Sequence, residues 1–234
     1  MSKLAVVTGG TKGIGRAIIE KFASRKFDIA TCSRKLVELT ALQKHLESTY
    51  AIKAHVLAVD MSVRAQVNAF TDFILKIGQP VDVLVNNSGV FLPGQVIDEK
   101  EGALENMMEA NVYSAYYTTR GLVPSMKAKK NGHIFNMCSI ASIKAYPNGG
   151  SYAISKFALL GFSKVLREEL MHDNIRVTAV LPGATRTGSW EGVDLPDERF
   201  MKPEDVAEAV FGAYALSPRS VVEEILIRPQ LGDI

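Results

Sequence analysis

The chain has 234 residues, 47% of them hydrophobic and 22% charged, with a formal net charge of +2. A chain of this length is expected to form one α/β domain over residues 1–234 and to bury roughly 70% of its unfolded surface, which excludes a need for disulfides or a structural metal. The near-neutral charge argues against nucleic acid or an anionic membrane as partner, and no apolar run approaches the ~18 residues of a membrane span.

The first apolar run, Leu4 to Thr8, is far too short for a signal-peptide core and reads as a strand. It passes through a glycine turn into Gly13 to Ser24, where Ile14, Ala17, Ile18 and Phe22 share one helical face. Further strands are expected at Asp28 to Ser33, Ala54 to Val59, Val81 to Val85, Gly132 to Cys138, Arg176 to Leu181 and Glu224 to Arg228. Between them, helical periods run from Lys35 to Thr49, Val63 to Ile77, about Gly102 to Lys130, and Ser151 to His172. Pro203 with Glu204 and Asp205 opens a last helix, its negative charge placed where the dipole favours it. Several strands are apolar almost throughout, as strands covered on both faces should be. The alternation predicts an α/β fold, a Rossmann-type doubly wound parallel sheet of about seven strands with helices on both faces.

Residues 185–202, without clear period, are expected to form a lid over an active site. Lys127, Lys129 and Lys130, just before Asn131-Gly132, read as a solvated helix end. Cys32 and Cys138 each lie in a strand-like run and read as buried free thiols of a reducing, cytoplasmic setting. His45, His55, His133 and His172 have no metal-type spacing, so no metal is expected.

The first strand-to-helix junction reads Thr8-Gly9-Gly10-Thr11-Lys12-Gly13-Ile14-Gly15. Glycines let the backbone approach a pyrophosphate, and the free N–H groups and dipole of the following helix meet its charge. With this loop, the T-G-x-x-x-G-I-G pattern resembles the cofactor fingerprint of the short-chain dehydrogenase/reductase family, and the likeness runs through nearly the whole chain. Asn86-Asn87-Ser88-Gly89 is similar to the family's N-N-A-G signature, with Ser88 in place of alanine. Pro182-Gly183, followed by Thr185 and Thr187, resembles the segment that cradles the nicotinamide end. The resemblance assigns cofactor contacts to Thr8, Gly9, Thr11, Lys12, Gly13, Ile14 and Gly15, to Asp60 and Met61 after the third strand, and to Asn87, Ser88 and Gly89. It adds Tyr152 and Lys156, then Pro182, Gly183, Thr185 and Thr187.

The cofactor's identity is read from the end of the second strand. A carboxylate there would hold the ribose diol of NAD and repel a 2′-phosphate. This chain has Ser33 and then Arg34, with Lys12 in the glycine loop, so NADP(H) is expected.

The resemblance maps catalysis onto Asn111, Ser139, Tyr152 and Lys156. Tyr152 and Lys156 are spaced i,i+4, so they share a helical face. An ammonium ~4 Å from the phenol contributes at most about 4 kcal/mol at an effective dielectric of ~20, enough to bring the phenol toward neutral pH. Tyr152 would give its proton to a carbonyl oxygen as hydride arrives, and Ser139 would hold that oxygen. Lys156 would lower the tyrosine pKa and hold the nicotinamide ribose, and Asn111 would anchor a water linking Lys156 to solvent. Cys138, next to Ser139, points to the opposite face as a core thiol.

Phe91, Leu92, the segment Ile140 to Asn148 and Trp190 are candidate pocket residues, suited to a flat or apolar carbonyl compound. The run Val221 to Pro229 resembles bacterial sepiapterin-reductase-like members, so sepiapterin or a related dicarbonyl ranks first. A 3-hydroxy-acid dehydrogenase and a 3-oxoacyl carrier-protein reductase follow. A catalytically silent NADP-binding regulatory protein is the alternative of another class; such proteins usually lose part of the Ser–Tyr–Lys set, which is intact here. A homodimer or homotetramer is implied, since the two longest helices of the family pair across a symmetry axis.

Overall fold

In the computed structural model, which describes residues 2–190 and 192–234, all five residues of β1 (Leu4–Thr8) are buried. Strand alternation sends Ala5 and Val7 into one apolar cluster and Leu4 and Val6 into a second. A strand apolar on both faces needs cover on both. On one face lie α1 (Gly13–Ser24), α2 (Leu36–Tyr50) and α7 (Pro203–Ala215), whose Ile18, Phe22, Leu42, Leu46, Val206 and Val210 fill the first cluster. On the other lie α3 (Arg64–Lys76), α5 (Ser114–Lys129) and α6 (Gly150–Leu170), with Val67, Phe70, Leu122, Met126, Leu166 and Leu170 in the second.

The remaining strands are β2 (Asp28–Ser33), β3 (Ala54–Ala58), β4 (Val81–Asn86), β5 (Gly132–Met137), β6 (Ile175–Pro182) and β7 (Glu224–Ile227). They form one parallel sheet in the order β3-β2-β1-β4-β5-β6-β7, the Rossmann-type arrangement expected. The order of winding reverses between β1 and β4, and a crevice at such a switch point, beyond the carboxyl ends of the strands, is where doubly wound sheets bind ligands.

Three expectations need correction. The helical stretch expected from Gly102 to Lys130 is not continuous: α4 (Ala103–Met108) runs into a π-helical turn, Glu109–Tyr113, before α5 begins. The π-turn inserts one residue into the helical register, which apolar period alone does not locate. It buries Ala110, Asn111 and Val112 together. The basic cluster is not simply solvated, because Lys127 pairs with Asp173 at 2.7 Å and Lys129 with Asp82 at 2.7 Å. The segment 185–202 has structure of its own, with 3-10 turns at Gly188–Trp190 and Asp197–Arg199. Thr185 bridges to Met201, Trp190 packs edge-on against Phe200, and Arg186 pairs with Asp197 at 3.0 Å; Glu191 lies outside the described residues.

Cys32 and Cys138 are buried and unpaired. Among the described residues, no helix is long and apolar enough to cross a membrane.

Candidate active site

The glycine loop forms where β1 ends. Gly9 and Gly10 N–H groups both donate to Cys32 C=O, and positive φ at Gly9 (69°) and Gly13 (53°) lets the chain turn tightly into α1. No side chain caps α1, and its first turn holds no acidic residue, so its N–H groups are left for an anion.

Asn87 and Ser88 shape this loop from β4. Their N–H groups both donate to Thr8 Oγ1 (3.0 and 2.9 Å), and Asn87 Nδ2 donates to the carbonyls of Thr8 and Gly9. A Cβ at Gly15 would collide with Asn87 Nδ2 and lie 2.5 Å from Gly9 O, so these residues are fitted to one another. Gly10 was not singled out as a site residue, yet a Cβ there would strike Ile19 and Thr31, which makes it a packing glycine. Thr11 is half-buried in the turn, and Ile14 lines the cavity below.

The far side of the crevice closes on the same loop. Gly183 follows β6, and Thr185 Oγ1 donates to its carbonyl at 3.0 Å. A Cβ at Gly13 would lie 3.0 Å from Thr187 Cγ2, so the 182–187 segment reaches the glycine loop. The crevice between them, with bare helix N–H groups at one end, fits an extended dinucleotide diphosphate.

At the mouth of β2, Ser33 Oγ accepts from Lys35 N–H and Arg34 is exposed. Lys12 extends from the glycine loop and forms an ion pair with Glu38 at 3.1 Å. Asp60 Oδ1 accepts from the N–H and hydroxyl of Ser62, which, with nearby Arg34, hold its carboxyl below the usual range despite partial burial. Met61 is buried in the second apolar cluster.

Ser139, Tyr152 and Lys156 line one cavity of about 570 Å³. Ser139 ends the run of β5 and caps a 3-10 turn (Ile140–Ser142), its Oγ accepting from Ala141 N–H at 3.1 Å. Tyr152 stands in the first turn of α6 with Phe91 edge-on against its ring at 4.8 Å. Lys156 is buried, donates to Met137 C=O at 2.7 Å and lies 5.7 Å from the Tyr152 ring centroid.

The expected acidification of the phenol is absent from this arrangement. Burial pushes Tyr152 up, with the Ser139 hydroxyl pulling the other way. The same burial acts on the amine, bringing Lys156 down to about 8.

The Asn111 side chain is likewise occupied. Its Oδ1 accepts from Val90 N–H, and its Nδ2 donates to Val90 C=O and to Ser155 Oγ at 2.9 Å. A water anchored here would have to use the backbone carbonyl in the π-helical turn, because the amide is fully engaged. Gly89 makes room for the cluster: a Cβ there would lie 2.9 Å from Asn111 Oδ1 and 3.7 Å from Lys156 Nζ.

Residues that sequence reasoning missed complete the cavity. Asp233 and Ile234 line it; the Asp233 carboxylate accepts from Nε and Nη2 of Arg228, with Lys144 at 3.8 Å, and its backbone carbonyl accepts from Arg199. Nothing in the sequence links residue 233 to residue 152. Phe91, Tyr146 and Trp190, which were expected, form its aromatic walls, while Leu92 is exposed and does not line it. Cys138 also lines the cavity, but burial raises its thiol pKa and keeps it protonated.

Residues 3–196 match the family model described as short chain dehydrogenase. The chain is 35% identical to a sepiapterin reductase of Chlorobaculum tepidum, an alignment covering 100% of this chain and 99% of the relative. Among solved structures, it is similar to an alcohol dehydrogenase from Thermococcus sibiricus complexed with 5-hydroxy-NADP (TM-score 0.91, 27% identity, 98% of this chain and 97% of that one). It is also similar to the L-sorbose reductase of Gluconobacter frateurii complexed with NADPH and L-sorbose (TM-score 0.90, 29% identity, 97% and 95%).

Proposed function

Because this chain belongs to the short-chain dehydrogenase family, we propose that it reduces a small ketone or dicarbonyl with NADPH, sepiapterin being the first candidate. The observation that carries this reading is that Tyr152, Ser139, Lys156 and the glycine-loop residue Ile14 line one and the same cavity. When bound, NADPH supplies the hydride; the chain supplies placement and the proton.

In this reading the raised phenol is an asset, since Tyr152 stays protonated at neutral pH and arrives loaded for donation to the carbonyl oxygen. Ser139 hydrogen-bonds that oxygen, and the charged form of Lys156 stabilises the phenolate left behind and holds the nicotinamide ribose. Asn111 serves by fixing the Val90 peptide and, through its backbone, the water path to Lys156. Lys12 and Arg34 would hold the 2′-phosphate, a choice supported by the NADP-type ligands of the two similar structures. Thr8, Gly9, Thr11, Gly13, Gly15, Asn87, Ser88 and Gly89 would line the diphosphate and ribose path, Asp60 and Met61 the adenine, and Pro182, Gly183, Thr185 and Thr187 the nicotinamide.

The full-length relative supports sepiapterin, and the aromatic walls Phe91, Tyr146 and Trp190 suit a flat substrate. One domain with residues 185–202 as its lid is part of the same reading, since β7 joins the common sheet and Trp190 lines the cavity. So is a homodimer or homotetramer, supported by exposed Tyr113, Tyr116, Ile154, Phe157 and Val165 on and before the two longest helices. The buried free thiols support a reducing, cytoplasmic location.

The test is NADPH consumption with sepiapterin, a simple diketone, a 3-hydroxy acid run in reverse and a 3-oxoacyl thioester, with Tyr152→Phe alongside. Wild type should turn over a dicarbonyl and the variant should lose roughly 10²–10⁴-fold, the range for a general acid. If both are inert across the panel while NADPH binds tightly, a silent regulatory protein replaces the enzyme.

A further inference from the structure

We propose that Glu38 governs cofactor selectivity by occupying, in the free chain, the cations that a 2′-phosphate would claim. This rests on the NADPH reading above and deepens it.

The end of β2 lacks a carboxylate, but one returns at the head of α2. Lys12 Nζ and Lys35 Nζ both contact the same oxygen, Glu38 Oε1, at 3.1 and 3.3 Å. Glu38 is the acidic residue of the first turn of α2, where the helix dipole favours it, so the anion sits on a rigid element. Both lysine side chains are 71% exposed on flexible stems, whereas that of Glu38 is 30% exposed. The two ammoniums, Lys12 first, come to the carboxylate and hold its pKa below the usual carboxylate range. Arg34, the other basic group at this corner, lies close enough to Asp60 to lower that carboxyl. Each cation that sequence reasoning assigned to the phosphate therefore already has an acidic neighbour.

A 2′-phosphate carries about two negative charges. To reach Lys12 it must take the ammonium from Glu38 and then sit beside the carboxylate it displaced. NADH has a hydroxyl at that position and disturbs neither ion pair. Glu38 thus weakens NADPH selectively and makes the preference for it smaller than the count of cations implies.

The test compares Kd for NADPH and NADH in wild type and Glu38→Gln, by calorimetry or nicotinamide fluorescence, at low and high salt. The glutamine keeps the side-chain shape, and a thermal melt checks that α2 is intact. NADPH should tighten by about three- to ten-fold at low salt, as expected for the release of one or two exposed ion pairs, with the gain shrinking at high salt. NADH should move by less than about two-fold, because the hydroxyl it carries at that position is uncharged. An unchanged Kd for NADPH, or a weaker one, overturns the proposal; the weaker one would make Glu38 an organiser of the lysines. Failure of the underlying reading looks different: wild type would bind NADH as tightly as NADPH, and Lys12→Ala would cost NADPH nothing.

Discussion

The Asn111 amide clasps the Val90 peptide from both sides, its Oδ1 accepting from Val90 N–H at 2.7 Å and its Nδ2 donating to Val90 C=O at 3.0 Å. A third bond, to Ser155 Oγ, ties the clasp to α6, which carries Tyr152 and Lys156. One side chain therefore joins the π-helical turn, the loop that bears Phe91, and the catalytic helix. Asn111→Ala removes all three bonds and should cost about 1–3 kcal/mol, several degrees in Tm. Asn111→Asp presents an acceptor to the Val90 carbonyl and should fare no better than alanine. A thermal melt in which the aspartate variant matched wild type would contradict the clasp.

Lys156 carries a stability cost. Its folded pKa of about 8 lies below the ordinary 10.5 because the amine is buried. Below pH 8 both folded and unfolded chains hold the proton, and the burial penalty is fully present. Between about 8 and 10.5 the unfolded chain binds a proton that the folded chain has released, so wild-type stability from this group rises with pH. That shift corresponds to about 3 kcal/mol, from which the lost bond to Met137 C=O subtracts about 1. Lys156→Met should therefore be more stable by about 2 kcal/mol at pH 7, with the advantage fading between about pH 8 and 10.5, while losing activity. Denaturant melts at pH 7 and pH 10 check this; a variant less stable at pH 7 would refute it.

The same titration predicts a pH profile. Tyr152 stays protonated well past neutrality, so the acid itself does not limit reduction there. Lys156 loses its charge near pH 8 in the free chain. The kcat/KM for NADPH, which reports the free enzyme, should fall as pH rises through about 8. A profile flat from pH 6 to about 9.5 would show that the charge of Lys156 is not needed.

Glu99 is a positioning residue for Tyr152. Its carboxylate accepts from Ser151 N–H at 2.9 Å and from the Ser151 hydroxyl, at the start of α6. Gly94 bridges to Gly149 beside it, and a Cβ at Gly150 would collide with the Glu99 carboxylate. Glu99→Ala removes a capping acceptor and should cost about 0.5–2 kcal/mol. Because Tyr152 is one residue further on, kcat should drop more than the KM for NADPH rises, and Glu99→Gln should recover most of the loss. Equal activity in the alanine variant would leave Glu99 a simple surface cap.

The strands were legible in the sequence because burial on both faces leaves a plain mark, an apolar run bounded by glycine or a charge. Their ends agree with the structure to within one residue. The glycine loop was legible for a similar reason, since its conformation demands residue types that few other contexts do. The π-helical turn was not, because inserting one residue changes which side chains face inward without changing composition. The ionic state of the corner near Lys12 was half legible: the Lys35–Glu38 spacing is a helical pair visible in sequence, but its meeting with Lys12 is not.

The sequence alone determined the fold class, the glycine loop at the first strand-to-helix junction and the residue types of the site, since periodicity and glycine chemistry act over a few neighbouring residues. Tertiary structure decided what those groups are doing. It buries Lys156 and bonds it to Met137 C=O, commits the Asn111 amide to Val90, and brings Asp233 to a cavity whose other wall is Tyr152. Charge state and hydrogen-bond partner depend on how much water and which groups packing leaves within a few ångströms. Residues far apart in the chain set both, and local pattern carries no record of them.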